Sequence, residues 1–365
     1  MLKKILFISF LLLSFQQTSA APINVVLVSP SSQNDIFWSQ VTKITQASAD
    51  DLKINLITYY DISNRILLDE LLNKIIQSQD KIDYVIFMPF GGNIERTFNS
   101  LEQAKISFVT LERTYEQHLH FEAIGKPLGK FKYWIGEVFF NNFKAGELLA
   151  QSLYHHATKL VDKKNESYQA LGLSGDFHAE SSERNKGLLK VSQQSSIEIK
   201  QIAYTNWKKD IAKSKLLKLI NRHGKADIIW CASDLNAIAS LEAVEELNFQ
   251  PNQDVVIGGF DWTPSAIQKI QNNQLTASVG GHIFQGARAL IKIFDYHHGI
   301  DNFNRTIGYQ GYLLEIIDLD NIEKYKKLTQ ENEWQNVDFS LFSSAKQKHA
   351  ITFNTLNILT SLKKH

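Results

Sequence analysis

From residue 23 the chain alternates short β-branched runs with amphipathic stretches of helical period, and the runs are too apolar to leave one face in water. INVVLVS (23–29), INLITYY (54–60), DYVIFMP (83–89) and SFVTLE (107–112) form a first series. Such strands suit a parallel sheet covered by helices on both faces. Between the second and third lies NRILLDELLNKIIQSQ (64–79), where Leu68, Leu71, Leu72, Ile75 and Ile76 make one buried stripe at helical spacing. A second series follows: QALGLSG (169–175), EIKQIAY (198–204), DIIWCAS (227–233), DVVIGGF (254–260) and TASVGG (276–281). Helical patterns separate these too, as in DLNAIASLEAVEEL (234–247), where Asp234 can cap the first turn. Two βαβ series of similar size predict an α/β protein of two doubly wound parallel-sheet lobes. The halves share no residue-level repeat. After residue 325 the pattern turns polar and aromatic and then weakly helical, so 326–365 is expected to be a C-terminal extension, packed on a lobe or used as a contact surface.

The first twenty residues have a different logic. MLKK precedes the apolar run ILFISFLLLSF, and QQTSA ends in Thr18-Ser19-Ala20 before Ala21-Pro22. This is the pattern of a secretory signal peptide, residues 1–20, cleaved after Ala20, and the run is short for a membrane span. It directs the mature chain to the periplasm. No cysteine follows the run, which argues against a lipid anchor. The formal charge is +1, and removal of Lys3 and Lys4 leaves 37 basic against 38 acidic side chains. With no basic block or arginine stripe, nucleic acid is not an expected partner. The one cysteine, Cys231 in IIWCAS, excludes an intrachain disulfide and is expected in the core.

In an open parallel sheet, ligands bind outside the carboxyl ends of the strands. The segments there are SPSSQNDIFW (29–38), MPFGGN (88–93), TLERT with Glu112 and Arg113, SGDFHAESSER (174–184), YTNWKKD (204–210), CASDLN (231–236), GGFDWTP (258–264) and VGGHIF (279–284). Nearly all carry an aromatic, a carboxylate, an arginine or an amide. Phe37, Trp38, Trp207 and Trp262 offer faces for the C–H surface of a ring, while Glu112, Arg113, Arg184, Asp234 and Asp261 offer charge-assisted hydrogen bonds to hydroxyls. Trp230 falls within a strand and belongs to the core. The adjacent pairs His155-His156 and His297-His298 lack metal-ligand spacing, and the glycine pairs at 91–92, 258–259 and 280–281 lack the phosphate-binding fingerprint. No metal and no nucleotide cofactor is expected. The chemistry is recognition of a small polyhydroxylated molecule.

Residues 23 to 320 resemble the type I periplasmic sugar-binding proteins of the ribose-binding class, which includes the receptor for the furanosyl signal autoinducer-2. The resemblance is carried by VSPSSQNDIFW, VTLERT, FKAGELLA (143–150), SSERNKGL with its Arg-x-x-Gly, CASDLNAIASLEAVEE and VIGGFDWTPSAIQKIQNNQLTASV. It implies ligand contacts from Phe37 and Trp38, from Glu112 and Arg113, from Arg184, from Trp207, and from the Phe260-Asp261 pair. The chain departs from the family at Met88 and Ser182, where an Asn and an Arg are usual, at Ser233, and at Gly281 with His282 beside it. Trp262 stands where a small residue is usual. Ribose is therefore not the expected ligand.

The resemblance further implies lobes of 21–136 plus 282–308 and 137–281 plus 309–325, three crossings near 136, 281 and 308, and hinge closure over the ligand. The implied partner is an inner-membrane ABC permease. The stretch NVDFS (336–340) resembles tails of members linked to membrane sensors, so the alternative partner is a histidine kinase or a diguanylate cyclase. A glycosidase working through Glu112 and Asp261 has no supporting acid–base pattern, and a LacI-like repressor would need DNA-binding helices where the signal peptide stands. On this reading the chain is not an enzyme, and Asp261→Ala or Arg184→Ala should weaken ligand binding strongly while leaving the fold intact.

Overall fold

The computed structural model describes residues 22–362 except 93, 113–123, 164–165, 307–308 and 326–332. The expected signal peptide and Arg113 lie outside the described residues. Five parallel strands build the first sheet: β1 (Ile23–Val28), β2 (Ile54–Tyr59), β3 (Tyr84–Phe87), β4 (Ser107–Leu111) and β5 (Trp134–Val138), in the order β2-β1-β3-β4-β5. The second holds β6 (Tyr168–Ser174), β7 (Ile197–Tyr204), β8 (Ile228–Cys231), β9 (Val256–Phe260), β10 (Ala277–Gly280) and β11 (Glu315–Asp318), in the order β7-β6-β8-β9-β10-β11. Only its edge strand β11 runs antiparallel. Both lobes thus repeat one doubly wound order, as the two apolar series predict. The sequence pattern did not mark β5 and β11.

The helices are α1 (Trp38–Leu52), α2 (Arg65–Gln77), α3 (Ile94–Ala104), α4 (Asn142–Leu160), α5 (Ala179–Ser192), α6 (Lys209–His223), α7 (Asp234–Glu246), α8 (Pro264–Gln271), α9 (Gln285–His297) and the short α10 (Ile322–Tyr325) and α11 (Thr355–Thr360). In α2 the expected stripe buries Leu68, Leu71, Leu72 and Ile75, and Asn64 caps the first turn by accepting from Ile66 and Leu67 N–H. Pro264 opens α8 behind the Thr263 cap, where its missing N–H is tolerated. Trp230 and Cys231 are fully buried, and burial pushes the Cys231 thiol up to about 12, so it is an inert core group.

The chain passes between the sheets at three places. After β5 ends at Val138, α4 packs on β9 and β10 of the second sheet. After β10, α9 returns to pack on α1 of the first. Phe303 then fits against Gly136 of β5, and Tyr312 bonds back to Phe139 and Asn141 before β11 joins the second sheet. The C-terminal segment lies on the first lobe, against α1 and α9, with Val337, Phe339, Phe342 and Ile358 buried. No helix among the described residues is long and apolar enough to cross a membrane.

Candidate functional site

The carboxyl ends of both sheets face a common cleft, and the polar groups there come from β4, α5, β9 and the segment after β10. Arg184 is placed by glycine. At Gly146 of α4 a Cβ would come within 2.1 Å of the Arg184 carbonyl, and at Gly187 of α5 within 2.3 Å of the Phe143 carbonyl. The two helices therefore approach closely enough for Arg184 Nε to donate to Asn142 Oδ1 (2.9 Å) and Nη1 to the Ala232 carbonyl (2.7 Å). Its guanidinium lies 4.4 Å from the Phe260 ring centroid and 3.9 Å from Asp261 Oδ1. This is the physical reason for the Arg-x-x-Gly spacing.

Asp261 leaves β9 with φ of 110°, a conformation costly for a residue with a Cβ. Its N–H still donates to Val279, while its carboxylate turns to His282 Nε2 at 3.0 Å. His282 is buried, its Nδ1 has no hydrogen-bond partner, and its ring sits 4.8 Å from that of Phe37 in the first lobe. Burial lowers the His282 pKa, Asp261 opposes that shift and Arg184 adds to it, so the imidazole is neutral near pH 7.

From the opposite side Glu112 follows β4, also at positive φ (57°), and is buried. Burial pushes its carboxyl up to about 8; Glu180 and Asp261 raise it as well, and Arg184 and the neighbouring Gln285 amide hold it down. Gln285 opens α9, is wholly buried, and neither amide atom completes a hydrogen bond. Sequence reasoning missed Gln285. The signal was its place three residues after His282 at the entry to a helix.

Phe37 and Trp38 are half-buried and edge to face at 5.6 Å, with both N–H groups held by Asp35 Oδ1. Other expected residues are placed differently. Asp234 is fully buried: Oδ2 accepts from Thr263 N–H (2.8 Å) and Oγ1 (3.0 Å), and Oδ1 from Ser278 Oγ (2.7 Å). The cap of α7 is Ser233, which accepts from Asn236 N–H, and not Asp234. Trp262 also points away from the cleft. Its Nε1–H donates to the Ser278 carbonyl (2.9 Å), its ring fills the space over Gly280, where a Cβ would come within 2.2 Å, and it lies 5.8 Å from Tyr325. Phe260 is fully buried beneath Arg184 and beside Trp230. Trp207 is half-buried over Gly175, and its indole bonds to Asp176. Burial raises the Asp176 carboxyl, but that bond and those from His178 outweigh it, and the pKa is lowered.

The geometry therefore brings together Glu112, Arg184, Asp261, His282 and Phe37, with Phe260 as a floor. Asp234 and Trp262 belong to the layer behind. Among the described residues no cluster of three or more His, Cys, Asp or Glu side chains could hold a metal.

Comparison with known proteins agrees with this architecture. Residues 25–297 match the model of the periplasmic binding protein domain family. A periplasmic sugar-binding protein from Pseudomonas fluorescens superposes with a TM-score of 0.75 at 21% identity, covering 88% of this chain and 94% of that one. An ABC transporter periplasmic solute binding protein from Actinobacillus succinogenes with bound D-allose gives 0.70 at 20% identity, covering 83% and 100%. The Caulobacter myo-inositol binding protein with bound myo-inositol gives 0.66 at 18%, covering 84% and 97%. No curated protein matches by sequence. The chain belongs to the periplasmic binding protein domain family, whose members bind ligands rather than transform them.

Proposed function

We propose that this protein captures a small polar ligand, a sugar or a sugar-like molecule, between its lobes and presents the closed form to an ABC importer. The observation that carries this reading is Glu112: it leaves the first sheet, is buried, and lies within electrostatic reach of Arg184 and Asp261 of the second lobe. A ligand bridging those groups stabilises the arrangement in which both lobes touch it. Hydroxyls can donate to Glu112 and Asp261, and the unpaired Gln285 amide and His282 Nδ1 supply further polar positions. Phe37 offers an apolar face. Bound D-allose and myo-inositol in structurally similar proteins support a ring-shaped polyol. The moving units are 21–136 with 282–308 and 137–281 with 309–325, and residues 1–20 are a signal peptide cleaved after Ala20.

A second reading, delivery of ligand state to a membrane sensor kinase or diguanylate cyclase, is favoured by the C-terminal segment on the first lobe, which gives that lobe an additional surface. Stimulation of a permease–ATPase by the liganded protein supports import; ligand-dependent binding to a sensor's periplasmic domain without such stimulation supports signalling. The ligand test is a thermal-shift screen of the mature chain against monosaccharides, inositols and furanosyl signals. A binder at 100 times its Kd stabilises by about 2.7 kcal/mol and raises the melting temperature by several degrees. No shift with any of them at millimolar concentration overturns the sugar reading.

A further inference from the structure

Arg288, one helical turn beyond Gln285 in α9, lies between two aromatic rings from distant parts of the chain. Its guanidinium is 3.9 Å from the Tyr312 ring centroid on one side and 4.4 Å from Phe353 on the other, and Nη2 donates to the Phe353 carbonyl at 3.0 Å. Its Nε has no partner. A partly buried guanidinium held by two rings, one carbonyl and the Tyr312 side chain depends on both residues to stay ordered.

The two rings belong to different machinery. Tyr312 is in the third passage between the lobes: its N–H donates to Phe139, its carbonyl accepts from Asn141, and its ring packs against apolar clusters on both sides of the passage. Phe353 is in the C-terminal segment and contacts Phe342 at 4.9 Å and Phe284 at 6.1 Å. Phe284 stands between His282 and Gln285, the two cleft groups with unpaired polar atoms.

The segment is itself anchored on the first lobe. The wholly buried Asp295 of α9 accepts from Ser343 Oγ (2.5 Å), Ser344 N–H (3.0 Å) and Ala345 N–H (3.0 Å), while Asp51 of α1 accepts from Phe339 N–H (2.9 Å). These bonds anchor residues 339–345, and Phe353 joins the same face of α9 through its carbonyl and ring contacts with Arg288. Its ring and that of Tyr312 flank the Arg288 guanidinium.

We propose that Arg288 is a positioning residue for lobe closure, and that the C-terminal segment clamps it against Tyr312, so the segment sets the relative position of the lobes. The inference rests on the ligand-capture reading for its purpose, but its test needs no ligand. Spin labels at K74C on α2 and K218C on α6, both exposed sites, report the distance between lobes; the native Cys231 is fully buried and does not label. Phe353→Ala and Arg288→Met should each give a longer and broader distribution than the parent, and Phe353→Leu should restore much of it. Any ligand found by the screen should then show an apparent Kd raised by the factor by which the closed fraction falls. Thermal melts establish that the variants fold, and Phe353, which is half-buried, is the milder site. If neither variant moves the distribution, the segment only covers α1 and α9 and the proposal is wrong, whatever the melting temperatures do. A moved distribution with a failed sugar screen would sustain the coupling and refute the ligand.

Discussion

Asp234 and Asp261 stand at the carboxyl ends of neighbouring strands of the second lobe, and their surroundings could hardly differ more. Asp234, after β8, takes three short hydrogen bonds from Thr263 and Ser278 and is wholly buried. Burial and the Asp261 charge raise its pKa, and the bonds from Ser278 and Thr263 oppose them. Asp261, after β9, is held off the sheet by a φ of 110° and meets only His282 closely, with Arg184 at 3.9 Å. One carboxylate ties a turn to a strand within its own lobe. The other keeps acceptor capacity that a ligand can use. Position at a strand end is therefore insufficient to identify a binding residue; what matters is whether neighbours in the same lobe already saturate it.

The largest effect is expected at Arg184, which serves both sides of this comparison. Arg184→Ala removes the donors to Asn142 Oδ1 and Ala232 and the cation above Phe260, and it leaves Asp261 and Glu112 facing each other unscreened. A loss of about 3–5 kcal/mol in folding stability is expected, together with loss of ligand binding. Denaturant unfolding measures it: an unchanged midpoint would show that Arg184 serves the ligand alone.

Next in size is a paired test. Asp234→Asn turns an acceptor of two neighbours into a group whose NH₂ confronts their donors, and should cost about 2–3 kcal/mol of stability with affinity nearly unchanged. Asp261→Asn should do the reverse, weakening ligand tenfold or more while the melting temperature stays put, since Asn tolerates positive φ. If both variants lose stability alike, the contrast between the two aspartates fails.

The architecture was legible because it rests on apolar periodicity, which a sequence displays directly. Most strands of both sheets follow from the apolar runs, and four of the five residues expected in the stripe of α2 are buried, Ile76 being only partly so. β5 was hidden because Gly136 and Glu137 break the apolar run of Trp134–Val138, and β11 because EIID has only two apolar residues between two carboxylates. The site was only half legible. Residue type indicated Glu112, Arg184, Asp261 and His282, but the direction of a side chain at a strand end depends on backbone twist and on small residues elsewhere. Trp262 shows this: it turns inward because Gly280 vacates the space and Ser278 offers a carbonyl, and neither is visible from GGFDWTP. Gln285 went unnoticed because nothing in its type separates a buried, unpaired amide from an exposed one.

A pH-dependent effect at Glu112 tests the first lobe's side of the cleft. Its folded pKa of about 8 lies above the ordinary glutamate value of about 4.3, so the folded state binds a proton that the unfolded chain releases between those limits. Stability from this group is complete below the lower value and is lost as pH rises to the upper one. Glu112→Gln removes that dependence. The variant should match the parent near pH 4, gain stability over it progressively up to pH 8, and level off beyond, as read from melts across that range. Its ligand affinity relative to the parent's should fall over the same interval, because only the parent gains a carboxylate acceptor there. A parent whose stability does not decline toward pH 8 relative to the variant would mean that Glu112 is solvated, and that the lobes do not close on it as described.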